Sequence, residues 1–172
     1  MTNVINLFGA PCSGKSTLAL ALAAKLKVKG LKTEYVEEYA KGQTYEENFC
    51  TLTNQIKVLG EQHHLMFRVK DKIDWIVTDS PFVMGMTYVD EPNKPLEDLM
   101  WFEFHKYQNH NFFLPLMFDY QSHGRKQTEY EAGLKEVEIK TMLLDNNIEI
   151  TTINQYDLDD RVNAVLKQLG LL

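Results

Sequence analysis

The chain has 172 residues, 44% of them hydrophobic and 24% charged, with 9 Gly and 5 Pro. These proportions exclude collagenous, low-complexity and disordered classes. A net charge of −6 argues against a broad, sequence-blind grip on nucleic acid or an anionic membrane surface, and leaves only a local basic groove for such partners. Two cysteines, Cys12 and Cys50, are too few for a disulfide framework, and no apolar run reaches the roughly 18 residues of a membrane span. The expectation is one soluble, cytoplasmic domain over residues 1–172.

Val4-Ile5-Asn6-Leu7-Phe8 is a nearly continuous apolar run ending at Gly9, the pattern of a strand buried on both faces. Residues 14–29 are rich in Ala, Leu and Lys and predict a helix, with Gly30 at its C-terminal cap. Thr33 to Val36 reads as a second strand, and one long helix is expected over 45–70, with Phe49, Leu52, Ile56, Leu59, His63 and Met66 along a single stripe. Trp75 to Thr78 is a third strand, closed by Asp79-Ser80-Pro81. A Pro-rich loop at 90–95 precedes a helix expected from Leu96 to about His110, then an apolar segment from Phe112 to Phe118 interrupted by Pro115. Gln121 to Thr128 is polar and reads as a loop; Glu129 to Asn146 reads as a helix, Ile148 to Ile153 as a strand, and Asp157 caps a last helix ending near Leu169. Strands alternating with helices define the class: α/β, a parallel sheet of about five strands with helices on both faces.

Gly9-Ala10-Pro11-Cys12-Ser13-Gly14-Lys15-Ser16-Thr17 satisfies G-x-x-x-x-G-K-[ST] in full. The spacing has a chemical reason. Glycines let the backbone wrap so that N–H groups converge on phosphate oxygens, and the helix beginning beside Gly14 adds its positive end. Lys15 can reach the β- and γ-phosphates, and the Ser16 hydroxyl can ligate Mg²⁺. A strand before the loop and a helix after it are the context the motif requires. Cys12 is read as a small residue that fits the loop, although a thiol near a helix N-terminus can gain reactivity.

Asp79 ends an apolar strand on the rim where ligands gather in open α/β sheets, so it is the candidate to hold a Mg²⁺-bound water near Ser16. The alternative is a plain Asp-Ser-Pro turn. Glu37 and Glu38 end the second strand on the same rim, where one of them could orient an acceptor hydroxyl and take its proton. His63 and His64 are sequence neighbours on a helix and lack metal-pair spacing. Leu96, Met100, Phe104 and Tyr107 form a core stripe; Trp101, Phe102 and His105 lie off it, free to stack an acceptor base or to pack elsewhere.

With these elements in order the chain resembles the P-loop small-molecule kinases, and among them the nicotinamide riboside kinase-like group of nucleoside and nucleotide kinases. The resemblance runs over the whole chain, through Gly9–Thr17, Glu38-Tyr39-Ala40-Lys41, the helix carrying Gln55 and Gln62, Trp75–Pro81, and the polar loop with Gly124-Arg125. It implies ATP as phosphate donor with Mg²⁺, served by Lys15, Ser16 and Asp79; Glu38 on the acceptor; and Arg125 in a mobile lid over about 119–130, stabilising the transferring charge. It also implies that the loop before Arg161 lies near adenine. Ser80 stands where many relatives carry Arg, as does Lys41. Phage-encoded kinases acting on deoxynucleotides or on modified bases in DNA share these parts. The expected activity is transfer of the ATP γ-phosphate to a nucleoside- or nucleotide-like acceptor. The alternatives are a hydroxymethylated base within DNA as the acceptor, and a slow NTPase switch that binds a protein partner.

Overall fold

The computed structural model describes residues 1–118 and 128–172. Its centre is β1 (Asn3–Phe8), whose Val4, Ile5, Leu7 and Phe8 are fully buried. On one side β1 pairs in parallel with β3 (Trp75–Thr78), and β2 (Thr33–Val36) lies beyond; on the other it pairs with β4 (Gln108–Phe113), followed by β5 (Thr151–Thr152). Among the described residues the sheet is therefore five-stranded and all parallel, in the order β2-β3-β1-β4-β5. Parallel strands need helical crossovers, and these cover both faces.

One face is covered by α1 (Lys15–Val28) and α7 (Leu158–Gln168), which bury Leu18, Leu22, Leu26, Val162, Val165 and Leu166 against Ile5, Leu7 and Val77. The helix α1 stops because Gly30 takes a left-handed φ of 81°, letting Gly30 N–H bond Lys27 O and Leu31 N–H bond Leu26 O. The other face carries α4 (Gln55–Phe67), the 3₁₀ segment Phe82–Tyr88, α5 (Lys94–Phe104) and α6 (Glu129–Asp145). Their core side chains include Leu59, Met66, Phe82, Met100, Phe104, Ile139 and Leu143. Each fully buried side chain of this size contributes about 1.5–3 kcal/mol.

Three expectations are corrected. The single helix over 45–70 is two, α3 (Phe49–Thr53) and α4, and a separate helix, α2 (Tyr39–Tyr45), ends where it was expected to begin. Glu47 adopts a left-handed φ of 54°, which ends α2, and the Asn54 side chain accepts from Lys57 N at 3.2 Å, which starts α4. The proposed stripe breaks accordingly, leaving Phe49 and Ile56 exposed while Leu59 and Met66 are buried. The helix expected to reach His110 ends at Phe104, and Gln108–Phe113 is a strand. Its polar residues have a purpose: buried Asn6 donates to Asn109 Oδ1 (2.8 Å) and Asn111 Oδ1 (3.0 Å), so β1 and β4 share an amide ladder. Finally, the strand expected over 148–153 shrinks to Thr151–Thr152.

Candidate active site

The register that sets Asn6 opposite Thr78 brings the segments after β1 and β3 side by side at the carboxyl edge of the sheet. After β1 the chain turns at Gly9, where φ is 147° and a Cβ would lie 2.5 Å from Leu114 O and 2.7 Å from Ser13 Oγ. No side chain fits there. Cys12 (φ 75°) and Gly14 (φ 87°) also adopt positive φ, so the loop alternates handedness, the backbone pattern of an anion-binding nest, and Ser13 N–H bonds Ala10 O at 3.3 Å within it. Lys15, the first residue of α1, folds back so that Nζ donates to Ala10 O at 2.8 Å, across the mouth of the loop. Ser16 is half-buried in the first turn of α1, and Thr17 is exposed. Ser13 Oγ is buried with no hydrogen-bond partner.

Asp79 is 1% exposed. Its Oδ2 accepts from Tyr35 OH at 3.1 Å, while Oδ1 is buried without a partner among the described residues. A buried orphan carboxylate oxygen beside a glycine loop suits a hydrated cation or another donor that arrives with a ligand. Among the described residues no cluster of three or more His, Cys, Asp or Glu side chains is arranged to hold a metal. Mg²⁺ commonly binds through one or two protein groups together with phosphates and water, and Ser16 with Asp79 fits that donor set.

Tyr35 connects this carboxylate to two others. Burial pushes its phenol well above the ordinary value, and Asp79, Glu37 and Glu38 push in the same direction. Glu38, the N-cap of α2, is half-buried, and Glu37 is exposed. Tyr88 in the 3₁₀ segment is likewise raised, by burial first and then by Glu38 and Glu138. The loop carrying both glutamates is held by Gln62, 4% exposed, whose Oε1 accepts from Tyr39 N at 3.0 Å and whose Nε2 donates to Glu37 O at 3.1 Å. The sequence offers Gln62 only as part of a motif; its two-sided grip on 37–39 needs the packing of α4 against α2 to be seen.

A small pocket of about 30 Å³ opens next to this rim, lined by Gln55, Leu59 and Gln62 of α4, Ser80, Phe82, and Met100 of α5. The aromatic candidates on α5 do not reach it. Trp101 packs edge-on against Phe104, Phe102 is 61% exposed beneath the Lys106 ammonium, and His105 stacks on Trp101. His63 is a packing histidine, stacked on Phe67 and paired with Glu103 at 3.2 Å. Arg125 and nearly all of the expected lid lie outside the described residues. The last of that span, Thr128 to Tyr130, already belongs to α6, where Thr128 and Glu131 form a capping box.

A five-stranded parallel sheet of this order, with a glycine loop after its central strand and a buried Asp after the next, is the fold of the P-loop nucleoside and nucleotide kinases. Residues 4–161 match the AAA domain family, and the chain belongs to it. No curated protein matches it significantly in sequence. Among solved structures, NadR protein in complex with NR is similar at a TM-score of 0.75 and 16% identity, over 99% of this chain and 52% of that one. The chain thus spans about half the length of NadR. Thymidylate kinase from Ehrlichia chaffeensis is similar at a TM-score of 0.68 and 13% identity, covering 98% of both chains. Deoxyadenosine kinase from M. mycoides, with dCMP and dCDP bound, follows at 0.60 and 16%, over 98% of this chain and all of that one. At these identities the likeness is one of fold. No helix among the described residues is long and apolar enough to cross a membrane.

Proposed function

We propose that residues 1–172 form one P-loop kinase domain that transfers the γ-phosphate of ATP, with Mg²⁺, to a nucleoside- or nucleotide-like acceptor. The observation that carries this reading is the unpartnered, buried Asp79 Oδ1 at the edge of the glycine loop, a geometry suited to a ligand that brings its own donors. The loop N–H groups from Cys12 to Lys15 would bind the β- and γ-phosphates, with Lys15 Nζ leaving Ala10 O for them. Ser16 and Asp79 would hold Mg²⁺, the latter through water; bound there, the ion neutralises charge between the two phosphates.

On the acceptor side, Glu38 is the better candidate of the two glutamates, since it is half-buried while Glu37 is exposed. In the transfer an acceptor hydroxyl oxygen forms a bond to the γ-phosphorus and the bond to the bridging oxygen breaks. The hydroxyl proton passes to the Glu38 carboxylate, and ADP leaves. Arg125 keeps the role implied by the resemblance, donating to the transferring oxygens. The cavity beside Ser80, at about 30 Å³, has room for a water-sized group, and it is the proposed place for one small substituent of the acceptor.

The test is ADP release from Mg-ATP with a panel of nucleosides, deoxynucleoside monophosphates, nicotinamide riboside, and DNA with and without hydroxymethylated bases. Stimulation by one acceptor, with a phosphorylated product, is expected, and Lys15→Ala should abolish it while the protein stays folded. Turnover retained in folded Lys15→Ala would sink the mechanism. Slow hydrolysis that no acceptor stimulates would favour a nucleotide-dependent switch.

A further inference from the structure

Arg161 opens α7 and is 2% exposed, a rare setting for a guanidinium that keeps its charge. Its donors serve three separate segments. Nε donates to Gln155 O at 2.7 Å in the loop before α7, Nη1 donates to Ser13 O at 3.1 Å in the glycine loop, and Nη2 faces Met117 Sδ at 3.7 Å. The guanidinium lies 4.6 Å from the centroid of Phe118, which packs on Tyr156 at 4.9 Å. Gly14 makes the approach possible, because a Cβ there would sit 3.0 Å from Nη1.

The bond to Ser13 O has a consequence for the next residue. In a trans peptide the carbonyl and the following N–H point to opposite sides of the chain, and the Ser13–Gly14 bond is trans. Fixing Ser13 O toward Arg161 therefore turns the Gly14 N–H away from α7 and toward the concave side of the loop. A carbonyl that accepts a charge-assisted hydrogen bond also makes its own peptide N–H a stronger donor. An apolar residue could fill the space and dock α7, as Val162, Val165 and Leu166 already do. Only directed N–H groups set the Ser13–Gly14 peptide.

We infer that Arg161 is a positioning residue for polyphosphate binding: from behind the glycine loop it orients and strengthens the Gly14 N–H that meets the phosphate oxygens. This inference rests on the phosphate-binding reading of that loop. It deepens that reading by adding a residue 148 positions away in sequence from the carbonyl it holds.

The test titrates the full chain calorimetrically with inorganic tripolyphosphate and, separately, with ADP. The proteins are wild type, Arg161→Met, Arg161→Lys, and Val165→Ala as a control that loosens α7 without touching the loop. Wild type should bind both ligands. Arg161→Met should lose about tenfold or more in affinity for each, by a similar factor, as expected for loss of a charge-assisted bond. Arg161→Lys should recover part of the loss for both, because an ammonium can reach one carbonyl but cannot bridge Ser13 and Gln155. The Gly14 amide resonance should move in both arginine variants, and Val165→Ala should leave both affinities unchanged.

Wild-type affinity for tripolyphosphate in a folded Arg161→Met or Arg161→Lys protein would overturn the inference. So would a loss confined to ADP, which would assign Arg161 to the base of the nucleotide, or an equal loss in Val165→Ala. If Arg161→Met does not fold, Arg161→Lys carries the comparison. Failure of the wild type to bind either ligand would overturn the phosphate-binding reading itself, and this inference with it.

Discussion

Tyr35 OH donates to Asp79 Oδ2 at 3.1 Å and so fixes one oxygen of a carboxylate whose other oxygen, Oδ1, has no partner. The donor stands on β2 and the acceptor follows β3, so the edge strand holds the acid in the orientation that leaves Oδ1 available. The raised phenol keeps its proton across the physiological range, which makes Tyr35 a permanent donor.

Removing that donor should cost stability. Tyr35→Phe strands Asp79 with two buried, unpartnered oxygens, and urea unfolding should report a loss of about 1–3 kcal/mol. Under the proposed function the variant should also need more Mg²⁺ for half-maximal turnover, because the carboxylate is free to rotate. An unchanged unfolding midpoint and an unchanged Mg²⁺ requirement would show that Tyr35 does not orient Asp79.

Gln62→Leu tests the grip on the glutamate loop. It removes both amide bonds to residues 37–39, and the expected loss is again about 1–3 kcal/mol. Its signature lies in the kinetics: the acceptor KM should rise or kcat should fall while calorimetric affinity for ADP stays at the wild-type value. Weakened ADP binding would instead place the effect on the donor side.

The pocket is tested by Gly85→Ala. A Cβ at Gly85 would lie 2.9 Å from Met100 Cε, the far end of a flexible side chain that can swing aside. Thermal unfolding should therefore change by less than about 1 kcal/mol. Met100 lines the small cavity beside Ser80, so the acceptor KM should rise severalfold. An unaltered acceptor KM would remove this cavity from the substrate path.

Acid sensitivity has a named source at the opposite end of the sheet. Burial lowers the pKa of His110 from its ordinary 6.5, and the ring donates through Nε2 to Asn3 Oδ1 at 3.1 Å beside Trp75. The folded state thus favours the neutral imidazole, and below pH 6.5 the unfolded chain binds more protons. This contribution is complete above 6.5 and is lost as pH falls through 6.5 toward the lowered value. The unfolding free energy should fall over that interval in wild type, and more shallowly in His110→Gln. Parallel curves would rule the histidine out.

Much of this was legible in the sequence because it depends on local chemistry. The glycine loop, the strand before it and the helix after it are specified by backbone requirements at Gly9 and Gly14 and by apolar runs that admit few alternatives. Asp79 is placed on the rim because it ends such a run. The rest depends on pairs far apart in the chain. The strand Gln108–Phe113 looks polar until Asn6 is known to face Asn109 and Asn111. The stripe through Phe49 and Ile56 breaks at the Asn54 cap, which starts a new helix. The roles of Gln62 and Arg161 have no local trace, since each bonds to backbone tens of residues away.

The central position of β1 governs how the chain matures during synthesis. Its partners are residues 75–78 on one side and 108–113 on the other, so β1 precedes both of the strands that enclose it. At roughly 5–20 residues per second of elongation, β1 waits about 5–20 s for β4, its most apolar residues exposed throughout. The glycine loop waits with it, because Gly9 closes against the Leu114 carbonyl and Phe8 O accepts from Leu114 N at 2.9 Å. A nascent chain shorter than this has no cradle for a nucleotide to stabilise. Ligand can guard only a chain that has passed Leu114, and protection of β1 before that point falls to whatever meets the chain at the ribosome.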